Sequence, residues 1–162
     1  MTVTLRVADD ADNTFLCELY GSTRAGEMAA WGWSGEQREQ FVKMQFAARE
    51  RHYGVMYPER DDRVILRDGR PVGRMIVARR PREIVLVDIA LLPQEQGHGE
   101  GAILVRELQR EAREAGRPLR LHVLGSSVAA IRFYGRLGFR TIDDDGSYLH
   151  MEWRPAITGS GE

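Results

Sequence analysis

Asp88-Ile89-Ala90-Leu91-Leu92-Pro93-Gln94-Glu95-Gln96-Gly97-His98-Gly99-Glu100-Gly101-Ala102-Ile103-Leu104-Val105 reads as the end of a strand, a glycine-rich turn and the opening of a helix. The apolar run behind it starts at Ile84. It is long and too β-branched for a comfortable helix, so residues 83–92 are predicted to form a central strand buried on both faces. Pro93 stops that strand. Gly97, Gly99 and Gly101 let the backbone turn tightly and present successive N–H groups. The helix predicted over 99–115, closed by Gly116, adds its unpaired N–H groups and the positive end of its dipole. Together these make a cradle for a pyrophosphate. The turn lacks the Lys-Ser/Thr ending of a Walker loop and the G-x-G-x-x-G spacing of a dinucleotide site, which argues against an NTPase and a Rossmann fold. The competing reading is a glycine-rich turn that binds nothing.

Working outward, residues 2–7 alternate and read as a strand. Residues 9–20 read as a helix, with Asp9, Asp10 or Asp12 to cap it. Ser34-Gly35-Glu36-Gln37 has the form of a capping box, so a second helix is predicted over 35–52, with Phe41, Met44 and Ala48 at helical spacing. Residues 63–67 and 71–79 form a hairpin around Asp68-Gly69. Beyond the central helix, 118–124 is a strand, 127–137 a helix ended by Gly138, and 139–142 and 148–153 are two last strands around Asp143-Asp144-Asp145-Gly146. The order β-α-α-β-β-β-α-β-α-β-β predicts an α/β fold. Its mixed sheet of six to seven strands is flanked by about four helices. Residues 1–155 are expected to form a single domain and 156–162 a loose tail.

The composition agrees with a soluble globular protein. The 162 residues are 43% hydrophobic and 29% charged, with a net charge of −1. No basic excess points to nucleic acid as a partner. No apolar stretch approaches the roughly 18 residues that span a bilayer. One cysteine, Cys17, allows no internal disulfide, and it reads as a buried thiol on an amphipathic helix. The expected location is cytoplasmic. No His/Cys/Asp cluster has metal-ligand spacing, so no metal is expected.

A second block, Ser127-Val128-Ala129-Ala130-Ile131-Arg132-Phe133-Tyr134-Gly135-Arg136-Leu137-Gly138-Phe139, follows the first. With Gln96, Gly99 and Gly101 in the pattern Gln/Arg-x-x-Gly-x-Gly/Ala, the two blocks resemble those of the GCN5-related N-acetyltransferase (GNAT) superfamily. The likeness covers 63–153 well and the first half by element order alone. Ser127 departs from it, since the superfamily usually has Asn there.

The resemblance implies an acyl-CoA N-acyltransferase fold, acetyl-CoA as co-substrate and direct attack of an amine on the thioester. It implies that Gln96, Gly97, His98, Gly99, Glu100 and Gly101 hold the pyrophosphate. Ser127, Ala130 and Phe133 would contact the pantetheine arm, whose edge partners are the backbones of Ile89 and Leu91. Tyr134 matches the tyrosine that protonates the leaving thiolate.

Three residues compete as general base. His122 falls where one branch of the superfamily places a catalytic glutamate, and strand alternation turns it away from Leu119, Leu121 and Val123. Asp88, a carboxylate inside an apolar strand, must face either the active site or a cation. Glu83 begins that strand. His52 and His150 read as surface or packing residues. The acceptor is expected near the connection between the first two helices. There Arg24, Glu27, Trp31 and Trp33 are candidate contacts, although Trp33 also fits a purely structural role.

The expected substrate is a primary amine of a small molecule or a protein. The rivals are a non-catalytic coenzyme A-binding module, an acyltransferase for longer chains, and a toxin-like enzyme acting on aminoacyl-tRNA. A homodimer that covers a sheet edge remains open.

Overall fold

The computed structural model describes residues 2–156. In chain order they form β1 (Val3–Val7), α1 (Asn13–Ala30), α2 (Gly35–Met56), β2 (Asp61–Arg67), β3 (Arg70–Arg79), β4 (Ile84–Leu91), α3 (Glu100–Ala115), β5 (Leu119–Leu124), α4 (Val128–Arg136), β6 (Arg140–Asp144) and β7 (Tyr148–Trp153). Single 3-10 turns at Asp10–Asp12 and Pro93–Glu95 precede α1 and follow β4. The expected tail lies, apart from Ala156, outside the described residues.

The strands hydrogen-bond in the order β1-β2-β3-β4-β5-β7-β6. β1 is antiparallel to β2, and β7 is antiparallel to both β5 and β6. β4 and β5 run parallel, as a crossover through α3 demands. The mixed sheet of the sequence reading is therefore present, with β7 inserted between β5 and β6.

Three elements differ from the sequence reading in informative ways. α1 continues ten residues past the predicted end at Tyr20, so Arg24 and Glu27 lie on a helix and only 31–34 connect it to α2. Gly21 and Gly26 are each too weak to break a helix supported by packing. α2 starts at the predicted capping box, with Ser34 Oγ accepting from the Gln37 N–H at 3.2 Å and Gln37 Oε1 accepting from the Ser34 N–H at 2.9 Å. Its buried residues are Val42 and Tyr53 rather than the predicted stripe, and Met44 is 60% exposed. β4 is not buried along its whole length. Ile84, Val85 and Leu86 are buried, whereas 87–91 are only partly covered. Its described register with β5 consists of Ile84↔Leu119 and Val85↔Arg120, at the buried end.

The chain divides into two compact units, and β3 and β4 each continue from one into the other. The first unit comprises 1–76 and 88–98. Leu16, Leu19, Val64, Ile65, Val72 and Ile76 form its core, each worth roughly 1.5–3 kcal/mol on burial. A cation sits among them. Arg74, 3% exposed, donates to both carboxylate oxygens of Glu50 on α2 at 2.8 Å and to Asp62 on β2 at 2.6 and 2.9 Å.

The second unit comprises 77–87 and 99–162. Leu104, Val105, Leu108 and Ala112 of α3 are buried in it, as are Leu119, Leu121 and Met151 of the sheet. Gln109 on α3 donates to the Leu137 carbonyl at 2.8 Å, tying α3 to the end of α4. Arg120 on β5 bridges Glu83 at 3.2 Å and Glu152 at 2.8 Å, so Glu83 is a partner in an ion pair.

Candidate active site

The first unit carries the exposed half of β4 and the entry to the glycine turn. Asp88 faces a cation: Arg49 Nη2 on α2 lies 2.7 Å from its Oδ2. Burial pushes the Asp88 carboxyl up, and Arg49 and then Arg74 pull it back. Arg49 is itself held. Its Nε donates to the Tyr53 hydroxyl at 2.5 Å, and its guanidinium lies 5.0 Å from the Tyr20 ring centroid and 5.1 Å from that of Tyr53. Asp88 is thereby the counter-ion that fastens α2 to β4, a role that explains a carboxylate in an apolar strand without catalysis.

Ile89 and Leu91, the next positions along β4, are half-buried. Behind them Gly73 allows a close approach of β3: a Cβ there would stand 2.3 Å from the Ala90 carbonyl oxygen. Gln96 reaches back to donate to the Leu91 carbonyl at 2.9 Å, which ties the turn to the end of β4. Glu95 is buried between Arg67 at 3.2 Å and Arg70 at 3.3 Å and anchors the same turn.

Gly97 and Gly99 hold φ of 82° and 87°, in the left-handed region. Gly99 stands directly before α3, and the Ile103 N–H bonds to its carbonyl at 3.0 Å. A Cβ at Gly97 or Gly99 would meet nothing within 4 Å. Glycine is required here by backbone conformation, and the space outside is open to a ligand. Gly97, His98 and Gly99 are exposed, and Glu100 is buried in the first turn of α3.

In the second unit, the start of α3 meets α4. A Cβ at Gly101 would lie 3.7 Å from the Phe133 ring, an ordinary contact, and its φ is not positive. Phe133, Tyr134 and Phe139 stack edge-on, with centroids 5.1 and 5.5 Å apart. Tyr134 and Ala130 are half-buried. Ser127 precedes α4 without capping it through its side chain.

β5 alternates as predicted, with Leu119, Leu121 and Val123 buried and His122 exposed. His150 of β7 stands opposite His122 in register, and the rings are 4.2 Å apart at 54°. His150 Nε2 lies 3.1 Å from Asp145 Oδ2. Although His122 is exposed by surface area, its ring is partly desolvated against the sheet, and that desolvation and the neighbouring His150 hold the imidazole below its ordinary range. The sequence reading did not pair Arg49 with Asp88, and it took His150 as a surface or packing residue without placing it beside His122. Strand register brings His150 to His122, and no local motif encodes that register.

The acceptor candidates are engaged with one another. Arg24 donates to Glu27 from Nε at 3.0 Å and from Nη2 at 2.8 Å, and its Nη1 donates to the Tyr20 hydroxyl at 2.9 Å. Trp31 and Trp33 pack against each other and Phe41, with centroids 4.9 to 5.5 Å apart. This cluster joins the end of α1 to α2, while Trp31 remains 43% exposed.

A mixed sheet with a parallel β4–β5 pair and a glycine turn opening the crossover helix is the arrangement that the resemblance to the GNAT superfamily implies. The model of the Acetyltransferase (GNAT) family matches residues 14–139, and the chain belongs to that family. It is 37% identical over 84 residues to a mycothiol acetyltransferase of Nocardiopsis dassonvillei. That match takes in 51% of this chain and only 22% of the relative's length. The structure is similar to that of the PaiA N-acetyltransferase of Thermoplasma acidophilum in complex with coenzyme A. The TM-score is 0.70 at 20% identity, over 95% of this chain and 99% of that one. It is also similar to the ribosomal-protein-S18-alanine N-acetyltransferase of Escherichia coli, with a TM-score of 0.62 at 23% identity, over 99% of each chain. These two likenesses establish the fold.

Proposed function

We propose that this chain is an N-acetyltransferase that moves the acetyl group of acetyl-CoA to a primary amine of a small molecule or protein. The observation that carries the reading is the turn before α3. Two glycines with positive φ, open space where side chains would stand, and a helix N-terminus suit a pyrophosphate. Gln96, Gly97, His98, Gly99, Glu100 and Gly101 form that turn, and Gln96 braces it. Ile89 and Leu91 offer backbone groups to the pantetheine arm, and Ser127, Ala130 and Phe133 offer side chains.

An ammonium has no lone pair, so a base must first remove its proton. His122 takes this role in our reading: it is exposed, and its depressed affinity for a proton keeps it neutral near pH 7. The amine nitrogen then attacks the thioester carbonyl to give a tetrahedral intermediate. A backbone N–H of β4 stabilises the oxyanion, the C–S bond breaks, and Tyr134 gives its phenolic proton to the thiolate sulfur; the proton that the acylated nitrogen sheds passes to solvent, from which the Tyr134 hydroxyl is restored. Asp88 serves as counter-ion to Arg49. Arg24, Glu27, Trp31 and Trp33 are assigned to the acceptor side. The reading treats 1–155 as one catalytic domain working in the cytoplasm, with a homodimer as its open assembly state. No described helix is long and apolar enough to cross a membrane.

Calorimetric titration with acetyl-CoA, with ATP as control, tests the cofactor assignment, and an amine screen following thiol release tests turnover. Micromolar binding of acetyl-CoA and not ATP supports it; no binding of acetyl-CoA removes it. Binding without turnover on any amine favours the non-catalytic module. Tyr134→Phe should lower turnover on the order of 10²-fold with little change in acetyl-CoA affinity. Unchanged turnover takes Tyr134 out of the acid role.

A further inference from the structure

The two histidines of the second unit are placed by the sheet rather than by a motif. His122 and His150 are direct cross-strand partners, so their side chains leave the sheet on the same face. Their ring centroids are 4.2 Å apart. His122 is exposed and His150 half-buried.

One side of this pair is tied to a fixed anion. Asp145 Oδ1 accepts the N–H groups of Ser147 at 3.0 Å and Tyr148 at 2.7 Å, and its Oδ2 faces His150 Nε2 at 3.1 Å. The turn thus locks the carboxylate before His150 enters the account. Those bonds hold Asp145 at about 2, so it is ionised at any pH where the protein works.

We propose that His150, held by Asp145, is a positioning residue for His122: its ring lies against that of His122 and opposes a charge there, so that His122 stays neutral and presents its lone pair to the acceptor ammonium. This rests on the reading of His122 as general base.

The chemistry follows from the placement. Two imidazolium rings in contact repel, so near neutrality the pair holds one proton in preference to two. Asp145 touches His150, so the fixed anion holds the ring that faces His122. Arg120, two residues before His122 on β5, pairs with Glu83, just before β4, and with Glu152 of β7, which also takes Arg154 at 2.6 Å. Asp143, opposite His150 in the β6 register, adds negative charge on the same side as Asp145. Asp145 and Glu83 favour a charged His122, but less than burial and His150 oppose it. When His122 accepts the amine proton, it does so against the His150 ring, which disfavours the charged form. It therefore releases that proton to solvent readily, which resets the base for the next turnover.

The test is an NMR titration of the imidazole resonances of the full chain, whose four histidines are assigned by single His→Gln variants. We expect the His122 midpoint to lie below the ordinary histidine range. In His150→Gln it should rise by about 1 pH unit. A His122 midpoint that stays in place in His150→Gln overturns the proposal, whatever the activity. If the pair acts in transfer, the acidic limb of kcat/KM follows the His122 midpoint and moves up with it in His150→Gln. A limb that does not move overturns the positioning role even where the midpoints are coupled. Full turnover by His122→Gln instead removes the base reading on which the proposal rests, and the titration separates that failure from the first.

Discussion

At the scale of single residues, the glycine turn separates two demands that look alike in sequence. Gly99 is needed for its backbone, with φ of 87°, whereas Gly101 lies in ordinary helix with a ring 3.7 Å from where its Cβ would be. Gly99→Ala should therefore cost about 1–2 kcal/mol in urea denaturation. Gly101→Ala should be neutral or gain up to about 1 kcal/mol, because alanine is the better helix former and the site admits a methyl. This is a physical account of the Gly/Ala alternative at that position of the family pattern. Gly99→Asp should further abolish acetyl-CoA binding, since it puts a carboxylate where phosphates are expected. The same contrast shows what was legible. The glycine turn before α3 and the outward placement of His122 on β5 could be read from local spacing, whereas Tyr134 was singled out by the resemblance to the superfamily. Gly73, whose missing side chain makes room for the Ala90 carbonyl, could not, because the neighbour comes from another strand.

At the scale of elements, polar pairs decide how strands and helices are fastened. Asp12 takes both guanidinium Nη atoms of Arg6 at 2.8 and 2.9 Å and the Asp9 N–H at 2.9 Å, linking β1 to the start of α1. These bonds, that of Arg6 first, hold its carboxyl at about 2 against an ordinary 3.8. The folded state thus binds this proton less readily than the unfolded chain. The stabilisation is complete above 3.8 and disappears as pH falls toward 2. Asp12→Asn should lower the thermal midpoint at pH 7, and the gap to the parent protein should close between about pH 4 and pH 2. A gap independent of pH would mean that the carboxylate is not the source. Arg74→Met should cost about 2–4 kcal/mol by urea denaturation. That is somewhat below the figure for fully buried pairs, since Glu50 and Asp62 keep 26% and 20% of their side-chain surface. Element identity was readable because alternation, capping and glycine stops are local. The length of α1 and the buried face of α2 were not, because packing overrode two glycines in one case and chose Val42 and Tyr53 in the other.

At the scale of the whole molecule, the fold was legible because the strand–turn–helix block fixes a parallel crossover and the flanking hairpins fix antiparallel neighbours. The insertion of β7 between β5 and β6 was not, and it is the step that brings His150 beside His122. Acetyl-CoA at 100 times its dissociation constant should stabilise the folded chain by about 2.7 kcal/mol. For a chain of this size that is a rise in Tm of roughly 5–10 °C. Scanning fluorimetry with acetyl-CoA and with ATP reads this directly. An equal shift with both would point to a general phosphate site, and no shift would speak against the cofactor assignment.

Arg74 and its two carboxylates also constrain how this sequence can have changed. Losing the arginine strands two acids, and losing either acid leaves a buried cation half-compensated, so each single step is penalised. Replacing all three by well-packed apolar residues is the substitution that physics tolerates. A lineage can reach that state only through unstable intermediates or by exchanging the segments together. Positions 50, 62 and 74 should therefore drift as one unit or not at all, and a covariation signal among them would report on charge burial and not on catalysis.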